Sequence, residues 1–250
     1  MSVFKAYDIR GIAGTELDSE FAERLGRALA THLEAKCVSV VRDIRDSGPE
    51  YHAAFVKGLN AAGADVVDLG ISTTGVLYRS TVDLPVDVAV AITASHNPPE
   101  YNGYKICHGT MPLGGEDLQD IRRTFEAGDF RKGEGSYDTA EDYEESYIDA
   151  VIESAGKPAR DIRVALDCGN AVPGPLAVRL LERLGVDVIP VYCDWDNSFP
   201  NHPPDPTRPE NMTDLAQAVT GAELVLIPLP ATAQVVLGRD LAPLLTDGQV

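Results

Sequence analysis

Residues Val86-Asp87-Val88-Ala89-Val90-Ala91-Ile92 are apolar at six of seven positions. A continuous run of that length, bounded by polar segments, reads as a strand buried on both faces, and such strands belong to sheets covered by helices on either side. The chain leaves it as Thr93-Ala94-Ser95-His96-Asn97-Pro98-Pro99. A serine hydroxyl is thereby delivered to the carboxyl end of a sheet, where open α/β sheets keep their ligands.

Helix-period and strand-period segments alternate through the rest of the chain, the signature of a layered α/β fold. Phe21, Leu25, Ala28, Leu29 and His32 mark one face of a helix, and Val38 to Val41 a strand. Ser47-Gly48-Pro49-Glu50 has the form of a capping box with proline in the first turn, opening a helix whose apolar face carries Tyr51, Phe55 and Leu59. Gly63 closes that helix and residues 65–69 form the next strand. Beyond the serine loop, helices are predicted over 115–127 and about 139–154, the latter with Tyr143, Tyr147, Ile148 and Val151 facing inward. Between them lies a surface loop, 128–137. A second unit starts near Lys157, with strands over 162–166 and 186–191 flanking a helix over 175–184. Leu59-x-x-x-Gly63-Ala64-Asp65-Val66-Val67 is echoed there by Leu181-x-x-x-Gly185-Val186-Asp187-Val188-Ile189, although any two βαβ units can match over so short a stretch.

The 250 residues allow two ordinary domains. Against 39 acidic residues stand 21 basic ones, only six of them lysine, for a formal charge of −18. Such a surface repels nucleic acid and anionic membranes, which excludes both as partners. Abundant acid with scarce lysine fits a high-salt cytoplasm; an acidic mesophilic protein is the alternative. No apolar stretch is long enough to cross a bilayer and the N-terminus lacks the layout of a signal peptide, so a cytoplasmic location is expected. Cys37, Cys107, Cys168 and Cys193 show no Cys-x-x-Cys spacing and read as reduced, mostly buried thiols rather than a metal or disulfide framework. In so acidic a chain, a site for a phosphorylated ligand needs locally gathered cations.

Thr93 to Lys105 reads TASHNPPEYNGYK and joins the serine loop to Asn102, Gly103 and Lys105. By the residues alone, Ser95 is either a nucleophile or the cap of the turn before Pro98-Pro99. Asp8-x-Arg10, within Tyr7-Asp8-Ile9-Arg10-Gly11, is likewise a surface ion pair as readily as part of a site. The thirteen residues, however, resemble the phosphoserine loop of the α-D-phosphohexomutases, the phosphomannomutase and phosphoglucomutase superfamily, and Tyr7 to Gly11 resembles that family's N-terminal Y-D-I-R-G. The resemblance implies that Ser95 carries phosphate between the 1- and 6-positions of a hexose phosphate, with hexose 1,6-bisphosphate as activator. It implies that Lys105 is an acid/base group and that Arg10 approaches the phosphoserine. A lysine serves as base only if its pKa falls, in a cationic or desolvated pocket. His96 and Asn97 then orient or hydrogen-bond, Asn102 belongs to the lysine segment, and Arg42, Asp43 and Arg45 resemble the family's G-R-D-x-R, with Val41 replacing its glycine, and read mainly as support, Arg42 and Arg45 as phosphate-binding or supporting residues. Asp167-Cys168-Gly169-Asn170 and Phe199-Pro200-Asn201-His202-Pro203-Pro204-Asp205-Pro206 are similar to the family's second-domain motifs; the proline density predicts a rigid extended loop without catalytic duty. The fold implied is two similar mixed-sheet α/β domains in series, residues 1–155 and 156–250.

The resemblance fails after Leu226. Where the family has D-G-D-x-D-R, three aspartates holding Mg²⁺ against the phosphoserine, this chain has Leu229-Pro230-Ala231-Thr232-Ala233-Gln234. Leu229, Ala231 and Ala233 offer no oxygen to a hard cation, so Mg²⁺ binding is expected to be weak or absent, its only link being Ser95 through its phosphate. Asp194-x-Asp196 reads as a solvated turn or the nearest metal-like pair. Family members continue through a sugar-reading third domain and a phosphate-gripping fourth. Expectations for this chain are therefore a degenerate paralogue binding sugar phosphate, a truncated or frame-altered product, or one half of a split mutase whose second chain supplies domains three and four.

Overall fold

The computed structural model describes residues 3–140, 142–156, 158, 161–205 and 208–218, and the backbone of 224–226. The chain forms two compact units, residues 1–95 with 99–144, and 145–250 with 96–98. In the first, β1 (Ile9–Ile12), β2 (Cys37–Arg42), β3 (Asp65–Ile71), β4 (Val88–Ile92), β5 (Tyr101–His108) and β7 (Tyr137–Thr139) form one sheet in the order β1-β5-β4-β2-β3-β7, and β6 (Met111–Pro112) pairs with β5. Strands β4, β2, β3 and β7 are mutually parallel; β5 is antiparallel to β4 and β1. This is the mixed α/β sheet the sequence implies.

Every residue of β4 is buried, as its apolar run requires. One sheet face, with Ile9, Val38, Val40, Val88, Val90, Ile92, Tyr104 and Ile106, packs on α1 (Ser19–His32), α2 (Gly48–Ala61) and α4 (Gly115–Ala127) through Leu25, Leu29, Phe55, Leu59, Leu118 and Ile121. On the other face α3 (Thr74–Asp83) meets the sheet, with Ser80 Oγ and Ser39 Oγ 2.8 Å apart and fully buried.

The capping box at Ser47 does not form. Ser47 already has helical dihedrals (φ −75°, ψ −12°), which leave its side chain no cap hydrogen bond. Its Oγ accepts instead from Asn102 Nδ2 at 2.8 Å, and Glu50 accepts from Ser19 Oγ. The helix predicted from about Thr139 starts at Tyr143, as α5 (Tyr143–Ala155), because Tyr137–Thr139 is taken by β7 in parallel register with Val66–Asp68. Strands β1 and β5 and helix α3 had no apolar periodicity to announce them.

In the second unit β8 (Arg163–Asp167), β9 (Asp187–Val191) and β10 (Leu224–Leu226) form a parallel sheet ordered β10-β8-β9, with α6 (Pro173–Arg183) and α7 (Thr213–Ala218). Leu166, Cys168 and Cys193 form its buried cluster, packed by Ala177, Val178, Leu181 and Val188. The echo is structural: Gly63 (φ +79°) and Gly185 (φ +86°) both end a helix in the left-handed region. All four cysteines are free thiols, three of them buried. No helix among the described residues is long and apolar enough to cross a membrane.

Helices α1 and α2 cross where each carries a glycine. A Cβ on Gly58 would lie 2.0 Å from Glu23 O, and one on Gly26 2.3 Å from Phe55 O. Alanine stabilises an exposed helix position by about 1 kcal/mol over glycine, but overpacking costs about 1–3 kcal/mol. Gly58→Ala is therefore expected to lower stability in denaturant titration despite the better helix former; a neutral or stabilising effect would show that the helices part freely.

On β3, burial works to raise the pKa of Asp68, but the His52 ring 3.3 Å away and hydrogen bonds from Tyr137 Oη (2.6 Å) and the Gly70 amide (2.8 Å) outweigh it and hold the carboxyl at about 2. A depressed carboxylate contributes stability that is present above its unfolded pKa and is lost as pH falls through the folded one. Stability is expected to drop between pH of about 4 and about 2, and Asp68→Asn to flatten that segment of the profile; an unaltered slope would remove Asp68 from the account.

Candidate active site

Beyond β4, the Thr93 amide still pairs with Gly103 O at 2.9 Å, and the chain then turns at Ser95, whose φ is +57°. A serine pays a steric cost there that glycine would not, and such residues persist only where their surroundings hold them. Ser95 and His96 are exposed and Asn97 is half-buried.

Register places the cations. Arg10 lies opposite Gly103 and Ile9 opposite Tyr104, so Asp8, one residue earlier, comes opposite Lys105. Paired positions share a sheet face. Asp8, Arg10, Lys105 and Thr93 thus leave the face opposite the α1/α2/α4 core. The Asp8 carboxylate takes an ion pair from Arg10 Nη2 and lies 3.4 Å from Lys105 Nζ, with all three side chains mostly buried. Asp8–Arg10 is an ion pair, but a half-buried one that also gathers Lys105. A Cβ on Gly103 would stand 2.2 Å from Ile9 O and 3.1 Å from Thr93 O, so only glycine lets β5 thread between β1 and β4.

Arg45, expected as a phosphate-binding or supporting residue, is a backbone staple. Its side chain is 2% exposed. Nη1 donates to Tyr101 O (2.8 Å), Nη2 to Ser95 O (2.9 Å) and Nε to Asp43 (3.0 Å), so both ends of the serine loop hang on one guanidinium. Burial works to lower its pKa and Asp43 opposes that; arginine's ordinary value is so high that the cation persists. Arg42 donates to Asp43 O at 3.4 Å. Asn102 is buried and engaged with Ser47 Oγ and the Gly103 amide, which ties β5 to the start of α2. The structure therefore brings Arg10 and Lys105 to one carboxylate and Arg45 to Ser95, and engages Asn102 with the start of α2. Sequence reasoning groups Asp43 with Arg45 as support but misses Asp8 as the carboxylate that bridges Arg10 and Lys105; the alternation of positions 8 and 10 against 103 and 105 is the available signal.

In the second unit, His202 Nε2 lies 3.2 Å from the buried Asp167 carboxylate, Asn201 Nδ2 donates to Asn170 Oδ1 (2.7 Å), and Asn211 Nδ2 donates to Asp205 O (2.6 Å). These bonds lock the proline-rich loop to the end of β8. Asp196 accepts from the hydroxyl and amide of Ser198, which pull its pKa below the usual range, as in a closed turn. Leu229, Ala231 and Ala233 lie outside the described residues. Hydrocarbon side chains give Mg²⁺ no oxygen, and among the described residues no group of three His, Cys, Asp or Glu side chains could hold a metal. The residues that the resemblance puts at the family's aspartate positions therefore offer the ion no ligand.

Comparison with known proteins decides the affiliation. Residues 1–132 match the family model of phosphoglucomutase/phosphomannomutase alpha/beta/alpha domain I, and residues 145–228 that of domain II. The chain belongs to the phosphoglucomutase/phosphomannomutase family. It is 42% identical over 221 residues to a phosphomannomutase/phosphoglucomutase of Pseudomonas aeruginosa, covering 87% of this chain and 47% of that one. To a phosphoglucomutase of Neisseria gonorrhoeae it is 39% identical over 226 residues, covering 88% and 49%. Among solved structures, a phosphoglucomutase/phosphomannomutase family protein from Burkholderia thailandensis superposes with a TM-score of 0.83 at 37% identity, over 88% of this chain and 50% of that chain. The chain spans about half the length of the curated relatives it matches.

Proposed function

We propose that this chain performs the phosphoserine part of a phosphohexomutase reaction, with a hexose phosphate as substrate and hexose 1,6-bisphosphate as activator. The observation that carries the reading is Ser95 itself, an exposed hydroxyl held in left-handed backbone at the end of β4, with Arg10 and Lys105 gathered by Asp8 on the strands alongside. In the step proposed, a hydroxyl of the hexose monophosphate attacks the phosphorus of phosphoserine. The new sugar O–P bond forms as the Ser95 Oγ–P bond breaks. Lys105, charged beside Asp8, gives a proton to Oγ as it leaves and takes the attacking hydroxyl's proton in return, while Arg10 balances charge on the equatorial oxygens. The bisphosphate, reversed, phosphorylates Ser95 again from its other end.

A second reading is favoured by Leu229, Ala231 and Ala233: a member that binds sugar phosphate without turnover, or one half of a split mutase completed by a second chain.

Three outcomes test these readings. Incubation with glucose 1,6-bisphosphate is expected to give a phosphate adduct by intact mass that disappears in Ser95→Ala; no adduct, or one that survives the substitution, would remove Ser95 as the acceptor. Calorimetry is expected to find feeble Mg²⁺ binding that rises when Leu229→Asp, Pro230→Gly, Ala231→Asp, Ala233→Asp and Gln234→Arg are combined; tight binding to the unaltered chain would redirect attention to Asp194 and Asp196. In a coupled assay the 250 residues alone are expected to turn over poorly. Loss of one group aimed at transition-state charge typically costs on the order of 10²–10³ in rate, and remote binding energy also positions the reacting end. Robust Ser95-dependent turnover would refute that expectation.

A further inference from the structure

Both backbone groups of Ser95 belong to one closed ring of hydrogen bonds. Its N–H donates to Thr93 Oγ1 at 2.9 Å, and its C=O accepts from Arg45 Nη2 at 2.9 Å. Thr93 Oγ1 and Arg45 Nε meet on the same atom, Asp43 Oδ2, at 2.6 and 3.0 Å, while Asp43 Oδ1 accepts the Arg45 amide at 3.0 Å. Directions in this ring are forced. An ionised carboxylate only accepts and a guanidinium only donates, so Thr93 must give its single proton to Asp43 and turn its lone pairs to the Ser95 amide. Fixing the two peptide groups that flank a residue fixes its φ and ψ, and here they fix the conformation that a residue with a Cβ avoids.

We infer that Thr93, Asp43 and Arg45 form a positioning relay whose task is to aim the Ser95 hydroxyl, with Thr93 as the member that reads the serine's own amide. A φ of the usual sign at Ser95 would swing Cβ and Oγ to the other side of the backbone, away from the direction the relay sets. None of the three residues touches the transferred group; they act through the backbone of the residue that does. The fold is anchored elsewhere, because the Thr93 amide pairs with Gly103 O and the Asp43 amide with Ile92 O whatever the side chains do. The role in aiming phosphoryl acceptance rests on the function proposed above, whereas the relay itself does not.

The test compares Thr93→Val, which deletes the hydroxyl, with Thr93→Ser, which keeps it. Amide exchange at Ser95 is followed by NMR, and the rate of Ser95 phosphorylation by glucose 1,6-bisphosphate is followed by intact mass over a range of bisphosphate concentrations. One net hydrogen bond corresponds to roughly tenfold in an equilibrium. Thr93→Val is expected to speed exchange at Ser95 about tenfold and to slow phosphorylation to a similar degree, with the half-saturating bisphosphate concentration unchanged. Thr93→Ser is expected to restore both. Wild-type exchange in Thr93→Val, or a Thr93→Ser as impaired as Thr93→Val, would overturn the relay. If the wild-type chain takes up no phosphate, the proposed function falls while the exchange arm still decides the relay. Should the valine variant unfold, Arg45→Lys gives the second measurement: it keeps the charge but loses the fork, and exchange over 95–101 is expected to rise; unchanged exchange would overturn the staple.

Discussion

Strand β5 runs between β4 and β1, antiparallel to both, and at Gly103 a Cβ would meet the backbone on either side, Ile9 O at 2.2 Å and Thr93 O at 3.1 Å. No side chain fits there, so the glycine is what allows β1 to close on the sheet at all. Once β1 is in place, register alone sets Asp8 opposite Lys105 and Arg10 over the gap that Gly103 leaves. The same strand gives Asn102 to the start of α2 and the Tyr101 carbonyl to Arg45. One strand therefore fixes the cations, the start of α2 and the far end of the serine loop. A displaced β5 would undo all three together, whereas a weakened Arg45 would loosen the loop and leave the cation pair intact.

That arrangement explains what could and could not be read in the sequence. The parallel strands β2, β3 and β4 and the helices α1, α2 and α4 were legible because each buries a continuous or periodic apolar face, and burial is what hydrophobic pattern reports. Strands β1 and β5 were not, because Ile9-Arg10-Gly11-Ile12 and Tyr101-Asn102-Gly103-Tyr104-Lys105 owe their conformation to partners supplied from elsewhere in the chain. Ser47 failed as a cap for a related reason. The S-x-x-E pattern is a local signal, and a distant amide from Asn102 competed successfully for the same hydroxyl.

Ser95, Arg10 and Lys105 could be singled out from their motifs, yet the motif does not say how the serine is held. Arg45 reads from its motif as phosphate-binding or supporting, and its guanidinium is engaged by two carbonyls and a carboxylate, a supporting arrangement. A guanidinium buried that deeply, with Asp43 as its counter-charge, is more costly to vary than an exposed phosphate ligand, because removing one partner strands the other in a poor solvent. The positive charge it appeared to add to the site is thus neutralised locally. Charge counting from sequence overestimates what a ligand would feel.

The remaining charge is small. Asp8, Arg10 and Lys105 together carry one net formal positive charge, inside a chain of formal charge −18. Screening confines the distant acids, since the Debye length is about 8–10 Å at ordinary salt and shorter in brine, so the local cluster sets the potential that a phosphate meets. A phosphoserine brings roughly −1.5 to −2 near neutral pH. On the proposed reading the cluster offsets about half of that, and the carboxylates that would recruit a divalent cation are replaced by Leu229, Ala231 and Ala233. A store of phosphate at Ser95 is therefore electrostatically incomplete within these residues. On the same reading, turnover calls for further positive charge at the end of β4, because one net cation cannot balance a phosphate dianion.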